Sequence, residues 1–104
     1  MANNLTQRST ALLKEQGYMV ATVEYYNYFT KRRHDLFGCI DILAIGNGET
    51  LAVQVTSKSN MSSRIHKIED SDALPEMLRS NWRVIVHGWF RKTNGRYELK
   101  EFEF

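Results

Sequence analysis

Residues Gly38 to Lys58 constrain the fold more tightly than any other part of the chain, because they read as two apolar strands joined by Asn47-Gly48. A two-residue type I′ turn needs positive φ at both central positions, which Asn and Gly tolerate, and it fixes the register of the strands it joins. Gly46 then faces Glu49, and Asp41 faces Gln54 with Cβ atoms about 5 Å apart. Thr56 follows on the same face. One acid and two polar groups on otherwise apolar strands are costly to bury without partners, so this cluster marks a candidate site.

The remaining segments arrange themselves around that hairpin. Asn4 or Thr6 caps a first helix carrying Leu5, Ala11, Leu12 and Leu13 on one side and ending at Gly17, where a left-handed C-cap suits glycine. Tyr18 to Tyr28 is rich in aromatic and β-branched residues and reads as one strand, leading into the basic turn Lys31-Arg32-Arg33-His34. After Ser57, Asn60 or Ser62 opens a helix with Met61, Ile65 and Ile68 on one side and Arg64 and Lys67 near another. Asp70-Ser71-Asp72 interrupts it, and Leu74, Met77 and Leu78 mark a second piece with Pro75 in its first turn. Trp82 to Phe90 is a buried strand, joined through Asn94-Gly95 to an alternating strand over Tyr97 to Phe104. The expected class is α/β (α+β): helix, three strands, helix, two strands, with a mixed sheet flanked by helices.

At 104 residues the chain has room for one core and one domain, residues 1–104. A single cysteine, Cys39, excludes an intrachain disulfide and points to a reduced, intracellular setting. No apolar run approaches the roughly 18–20 residues that span a bilayer, and no signal-like segment opens the chain, so a soluble, cytoplasmic protein with no membrane partner is expected. The formal charge of +2 says less than its distribution. Cations cluster at Lys31 to His34, at Lys58 with Arg64 and Lys67, and at Arg91-Lys92, which suggests a basic face. Tyr25, Tyr26, Tyr28 and Phe29 have faces suited to stacking on bases, although aromatics on strands more often belong to a core or an interface. His34, His66 and His87 lack the spacing of zinc ligands, and Ser57, Ser62 and Ser63 lack a His-Asp arrangement.

The element order, with Asp41 on the second strand and a polar-x-polar step on the third, resembles the PD-(D/E)xK nuclease superfamily, in particular its small Holliday-junction-resolvase-like and virus-type replication-repair branch. The resemblance covers most of the chain and implies a restriction-endonuclease-like core. It implies that Asp41 holds a metal ion, with Gly38 three residues before it and Ile40 in place of the motif's proline. Gln54 takes the position of a metal-binding Glu and Thr56 that of a Lys, so the third-strand motif reads Gln-x-Thr. The first-helix acid of the resolvase-like branch falls at Gln7, again an amide, while Asp35 offers an extra acid. Lys58, on the same strand parity as Thr56, is expected to supply the missing cation, with Arg64 or Lys67 as alternatives from the following helix.

By this resemblance the chain is a Mg²⁺- or Mn²⁺-dependent DNA endonuclease, since phosphodiester hydrolysis calls for hard oxygen ligands and a divalent cation. Asp41 and Gln54 hold metal, weakly without DNA because Gln54 carries no charge; Thr56 hydrogen-bonds water or phosphate, and Lys58 stabilises developing charge. Lys31, Arg32, Arg33, His34, Arg64 and Lys67 contact DNA. The alternatives are a DNA-binding module that has lost its chemistry, and an assembly subunit or homodimer in which Tyr97, Leu99, Phe102 and Phe104 form the partner surface. A phage or mobile-element setting is implied by analogy alone.

Overall fold

In a computed structural model, which describes residues 4–104, the expected turn and its register are present. Strands β4 (Ile42–Gly46) and β5 (Glu49–Ser57) pair antiparallel with Gly46 opposite Glu49 and Ile42 opposite Val53. Asn47 and Gly48 have φ of 53° and 75°, the left-handed pair that a type I′ turn requires. The fold is mixed α and β. A five-stranded sheet runs in the order β1-β4-β5-β6-β7, with β1 at Met19–Thr22, β6 at Trp82–Arg91 and β7 at Tyr97–Glu103. All its pairings are antiparallel except β5 with β6, whose connection carries helices α2 (Met61–Glu69) and α3 (Ala73–Arg79). No described helix is long and apolar enough to cross a membrane.

The helices cover opposite faces of the sheet. Helix α1 (Asn4–Glu15) sets Leu13 against Ile42, Ala44, Leu51, Val53, Val55, Ile85 and Trp89, with Leu5 and Leu12 at the margin. Ala11, expected on that side, is exposed. Thr6, expected as a cap, instead buries its hydroxyl without a partner among the described residues, and the side chain of Asn4 lies outside them. On the other face Met61 and Ile68 of α2 and Met77 of α3 pack on Ala52, Val84 and Val86, together with Cys39 and Ile40. Gly88 makes this docking close. A Cβ placed there would lie 2.1 Å from Met61 Sδ, so the first residue of α2 rests directly on the β6 backbone.

A polar knot crosses the α1 face of the core. Trp89 Nε1 donates to Ser9 Oγ at 2.8 Å, and Ser9 Oγ lies 2.8 Å from His87 Nδ1. An indole N–H only donates, so the serine proton is free for Nδ1 of a neutral imidazole, and burial lowers the His87 pKa to about 4. Replacing Ser9 by Ala would strand both the indole N–H and the imidazole nitrogen. The expected cost is about 2–4 kcal/mol in urea unfolding, whereas a loss below about 0.5 kcal/mol would mean that water or a rearrangement satisfies them.

Two expectations are corrected. Tyr18 to Tyr28 is not one strand: β1 ends at Thr22, and Tyr25–Asn27 (β2) pairs instead with Arg32–His34 (β3) as a separate two-stranded ribbon. Tyr97, Leu99, Phe102 and Phe104 do not form one surface. Leu99 packs on the α1 side and Phe104 on the α2 side, as strand alternation demands, while Tyr97 lies beneath the Arg8 guanidinium at 3.9 Å.

Candidate metal and phosphate site

Asp41 stands just before β4 begins. Its N–H donates to the Val53 carbonyl at 2.9 Å, although Val53 is already the partner of Ile42. Two residues against one is the arrangement of a β-bulge, which re-aims a side chain. Asp41 therefore leaves the direct pairing with Gln54 that the turn predicts and meets it through side chains. Gln54 Nε2 donates to Asp41 Oδ2 at 2.6 Å, and the Val55 N–H donates to the same oxygen at 2.8 Å. Both side chains are almost fully enclosed, at 4% and 2% exposure. With its Nε2 committed to Asp41, Gln54 keeps an orphan: Oε1 is buried with no hydrogen-bond partner among the described residues.

Two further acids converge on Asp41. Val23 donates its N–H to the Asp41 carbonyl at 2.8 Å, which carries the next residue, Glu24, to the end of the hairpin. The β2-β3 ribbon then leaves the sheet and returns at Asp35. Glu24, Asp35 and Asp41 each place a carboxylate oxygen within 4.8 Å of the others. Burial first, and the neighbouring charges of Asp35 and Glu24 second, push the Asp41 pKa up to about 7 against the pull of the Val55 N–H. Three carboxylates that close repel each other strongly at low dielectric.

Cations line the cleft together with the acids. Glu24, Asp35, Asp41, Gln54, Val55, Arg33, Arg64 and Lys67 line a volume of about 330 Å³. Arg33 lies 3.6 Å from Glu24, and Lys67 lies 3.8 Å from Asp35. Arg64 and Lys67 are three residues apart on α2, so they share a side of that helix, and the seating of Met61 on Gly88 sets where that side stands.

Of the residues expected from sequence, Asp41, Gln54, Arg33, Arg64 and Lys67 meet here. Thr56 is buried farther along β5 opposite Gly88 and does not line the cleft. Lys58 is elsewhere: β5 gives way at Lys58 to a 3₁₀ turn, Lys58–Asn60, and its ammonium sits 4.5 Å from the Phe90 ring centre, so the strand parity that linked it to Thr56 no longer holds. Gln7 is exposed on α1, also away from the cleft. Lys31 and Arg32 are exposed on the ribbon, and His34 stacks on Tyr25 with ring centres 5.4 Å apart. Glu24 is the site residue that sequence reasoning missed. Tyr18 to Val23 is nearly continuously apolar, without an alternation whose break would have marked Glu24.

Compared with protein-family models, curated proteins and solved structures, the chain finds no match in any of the three.

Proposed function

We propose that this protein is a divalent-metal-dependent phosphodiesterase acting on DNA. The observation that carries this reading is the convergence of Glu24, Asp35 and Asp41 on one cleft with the orphaned Gln54 carbonyl oxygen. A buried oxygen without a donor is a feature that folding alone penalises, and three carboxylates beside it make an all-oxygen donor set suited to Mg²⁺ or Mn²⁺. Those four residues would hold the ion. When bound, it supplies charge neutralisation at the phosphoryl oxygens and lowers the pKa of a water.

The chain's own groups account for the rest. The Gln54 amide and the Val55 N–H fix the orientation of Asp41. Arg33, Arg64 and Lys67 line the same cleft and offer cationic donors for non-bridging phosphate oxygens, Arg33 and Lys67 standing beside Glu24 and Asp35. Lys67, rather than Lys58, is assigned the charge-stabilising role. The mixed five-stranded sheet with helices on both faces supports this reading at the level of fold class.

Cleavage of labelled linear and branched DNA with Mg²⁺ or Mn²⁺ tests this. Lys67→Ala is expected to slow cleavage at least about 10-fold, as loss of a preorganised charge does, while Lys58→Ala leaves it within about 2-fold. Equal effects of the two would remove the assignment. One observation favours a second reading, a DNA-binding module without chemistry: Thr56, where the resemblance implies a lysine, does not line the cleft. In that case binding falls with salt and no cutting accompanies it.

A further inference from the structure

The β2-β3 ribbon carries more exposed aromatic surface than any other element, and the cleft does not use it. Tyr28 is 84% exposed and Phe29 99%, both at the tip, with Tyr25 and Tyr26 exposed on the strands below. The tip is braced. Asn27 Oδ1 accepts from the N–H groups of Phe29 at 2.9 Å and Thr30 at 3.2 Å, an Asx turn that holds the two rings outward. Tyr28 meets Tyr26 edge-on with ring centres 5.1 Å apart, and both rings still face solvent beside the almost fully exposed Phe29; such surface marks a place where something else binds.

The charge of the ribbon says what that something is. Residues 25–34 include Lys31, Arg32 and Arg33 and no acid, and Lys31 and Arg32 are exposed. A second copy of the chain, meeting this ribbon across a two-fold axis, would set cation against cation. An anionic partner that also has flat apolar faces fits both features. Position narrows it further: the residue just before β2 is Glu24 and the residue just after β3 is Asp35, two of the three cleft carboxylates. Arg33, which lines the cleft, is the cross-strand partner of Tyr26 and shares its face. A strand whose phosphates lie along Lys31 to Arg33 therefore runs from the aromatic tip toward the carboxylates.

We infer that the ribbon is a base-stacking arm: Tyr28 and Phe29 stack on unpaired nucleobases of a DNA strand whose phosphates lie on Lys31, Arg32 and Arg33. The arm selects DNA with exposed bases over continuous duplex, in which every base face except the terminal ones is already stacked. This deepens the phosphodiesterase reading by naming the form of its substrate.

The test is binding without chemistry, in EDTA at low salt, of a single-stranded oligonucleotide bearing 2-aminopurine and of the matched continuous duplex. Native protein is expected to prefer the single strand and to alter the probe's fluorescence. Phe29→Ala should weaken single-strand binding roughly 5- to 100-fold, the effect of removing one stacked ring, with Tyr28→Ala in the same direction and Phe29→Trp close to native. Duplex affinity should move by less than about 2-fold. Both rings are exposed, so the variants keep the fold. Unchanged single-strand binding in both alanine variants overturns the inference, as does equal native affinity for single strand and duplex. So would a native dimer that dissociates in Phe29→Ala with DNA binding intact. Because no metal is present, these outcomes are independent of whether the cleft cuts; a native protein that prefers single strands but never cleaves would sink the phosphodiesterase reading alone.

Discussion

Asp41→Asn is expected to reduce metal-dependent DNA cleavage at least about 100-fold and, in the same protein, to raise the stability of the metal-free form at neutral pH. The two effects have one cause. Asp41 is buried among Glu24 and Asp35, and its folded pKa of about 7 stands above the ordinary value of 3.8. The stability tied to the protonated form is fully present below about pH 3.8 and is lost as pH rises through about 7. At about 1.4 kcal/mol per unit, the loss approaches about 4 kcal/mol as an upper bound. Asparagine escapes it. Its Oδ1 can accept the Gln54 and Val55 bonds that Oδ2 now takes, and its amide can donate toward the neighbouring acids. Urea unfolding in EDTA should therefore show native and variant nearly equal near pH 4 and diverging toward pH 8, with Asp41→Asn the more stable. His87, whose pKa is lowered, contributes equally to both proteins and drops out of the difference. A variant that is less stable at pH 8, or that cleaves as the native chain does, would contradict this.

Gln54→Glu probes the orphaned oxygen from the other side. The new carboxylate would sit where Nε2 now approaches Asp41 Oδ2 at 2.6 Å, exchanging a donor for a fourth acid in an enclosed site. Without metal the variant is expected to lose about 3 kcal/mol or more, the usual cost of an uncompensated buried charge. With Mn²⁺ the same carboxylate adds a charged ligand, so saturating ion should restore most of the loss; an ion at about 100 times its Kd contributes roughly 2.7 kcal/mol. Thermal melts with Mn²⁺ and with EDTA give the comparison. A melt that stays low in Mn²⁺ would mean that the Gln54 carbonyl oxygen does not face a cation.

The parts of this site that local chemistry fixes are legible in the sequence. Asn47-Gly48 sets the hairpin, and the hairpin brings Asp41 to Gln54. Met61, Ile65 and Ile68 orient α2, which leaves Arg64 and Lys67 together on its flank. The parts that tertiary structure fixes were hidden. Tyr18 to Tyr28 has the composition of a single strand throughout, yet β1 has only β4 to pair with, and beyond Thr22 the chain leaves to form its own ribbon. Glu24 lies at that departure, so its arrival beside Asp41 depends on a break that strand propensity does not signal. Lys58 fails for a related reason. Counting by twos holds only while the strand lasts, and the 3₁₀ turn that begins at Lys58 turns its side chain to Phe90. The bulge at Asp41 is equally silent in the sequence, since it comes from both Asp41 and Ile42 meeting Val53.

Anomalous diffraction at the manganese edge, from native crystals grown with millimolar Mn²⁺, tests the metal site most directly. One ion is expected among Glu24, Asp35 and Asp41, within about 2.0–2.3 Å of their oxygens and with Gln54 Oε1 turned toward it, and the same peak should be missing from Asp41→Asn crystals. No peak in that cleft, with Glu24 still on Arg33 and Asp35 still on Lys67, would contradict the metal site and leave the three acids as partners of their own cations.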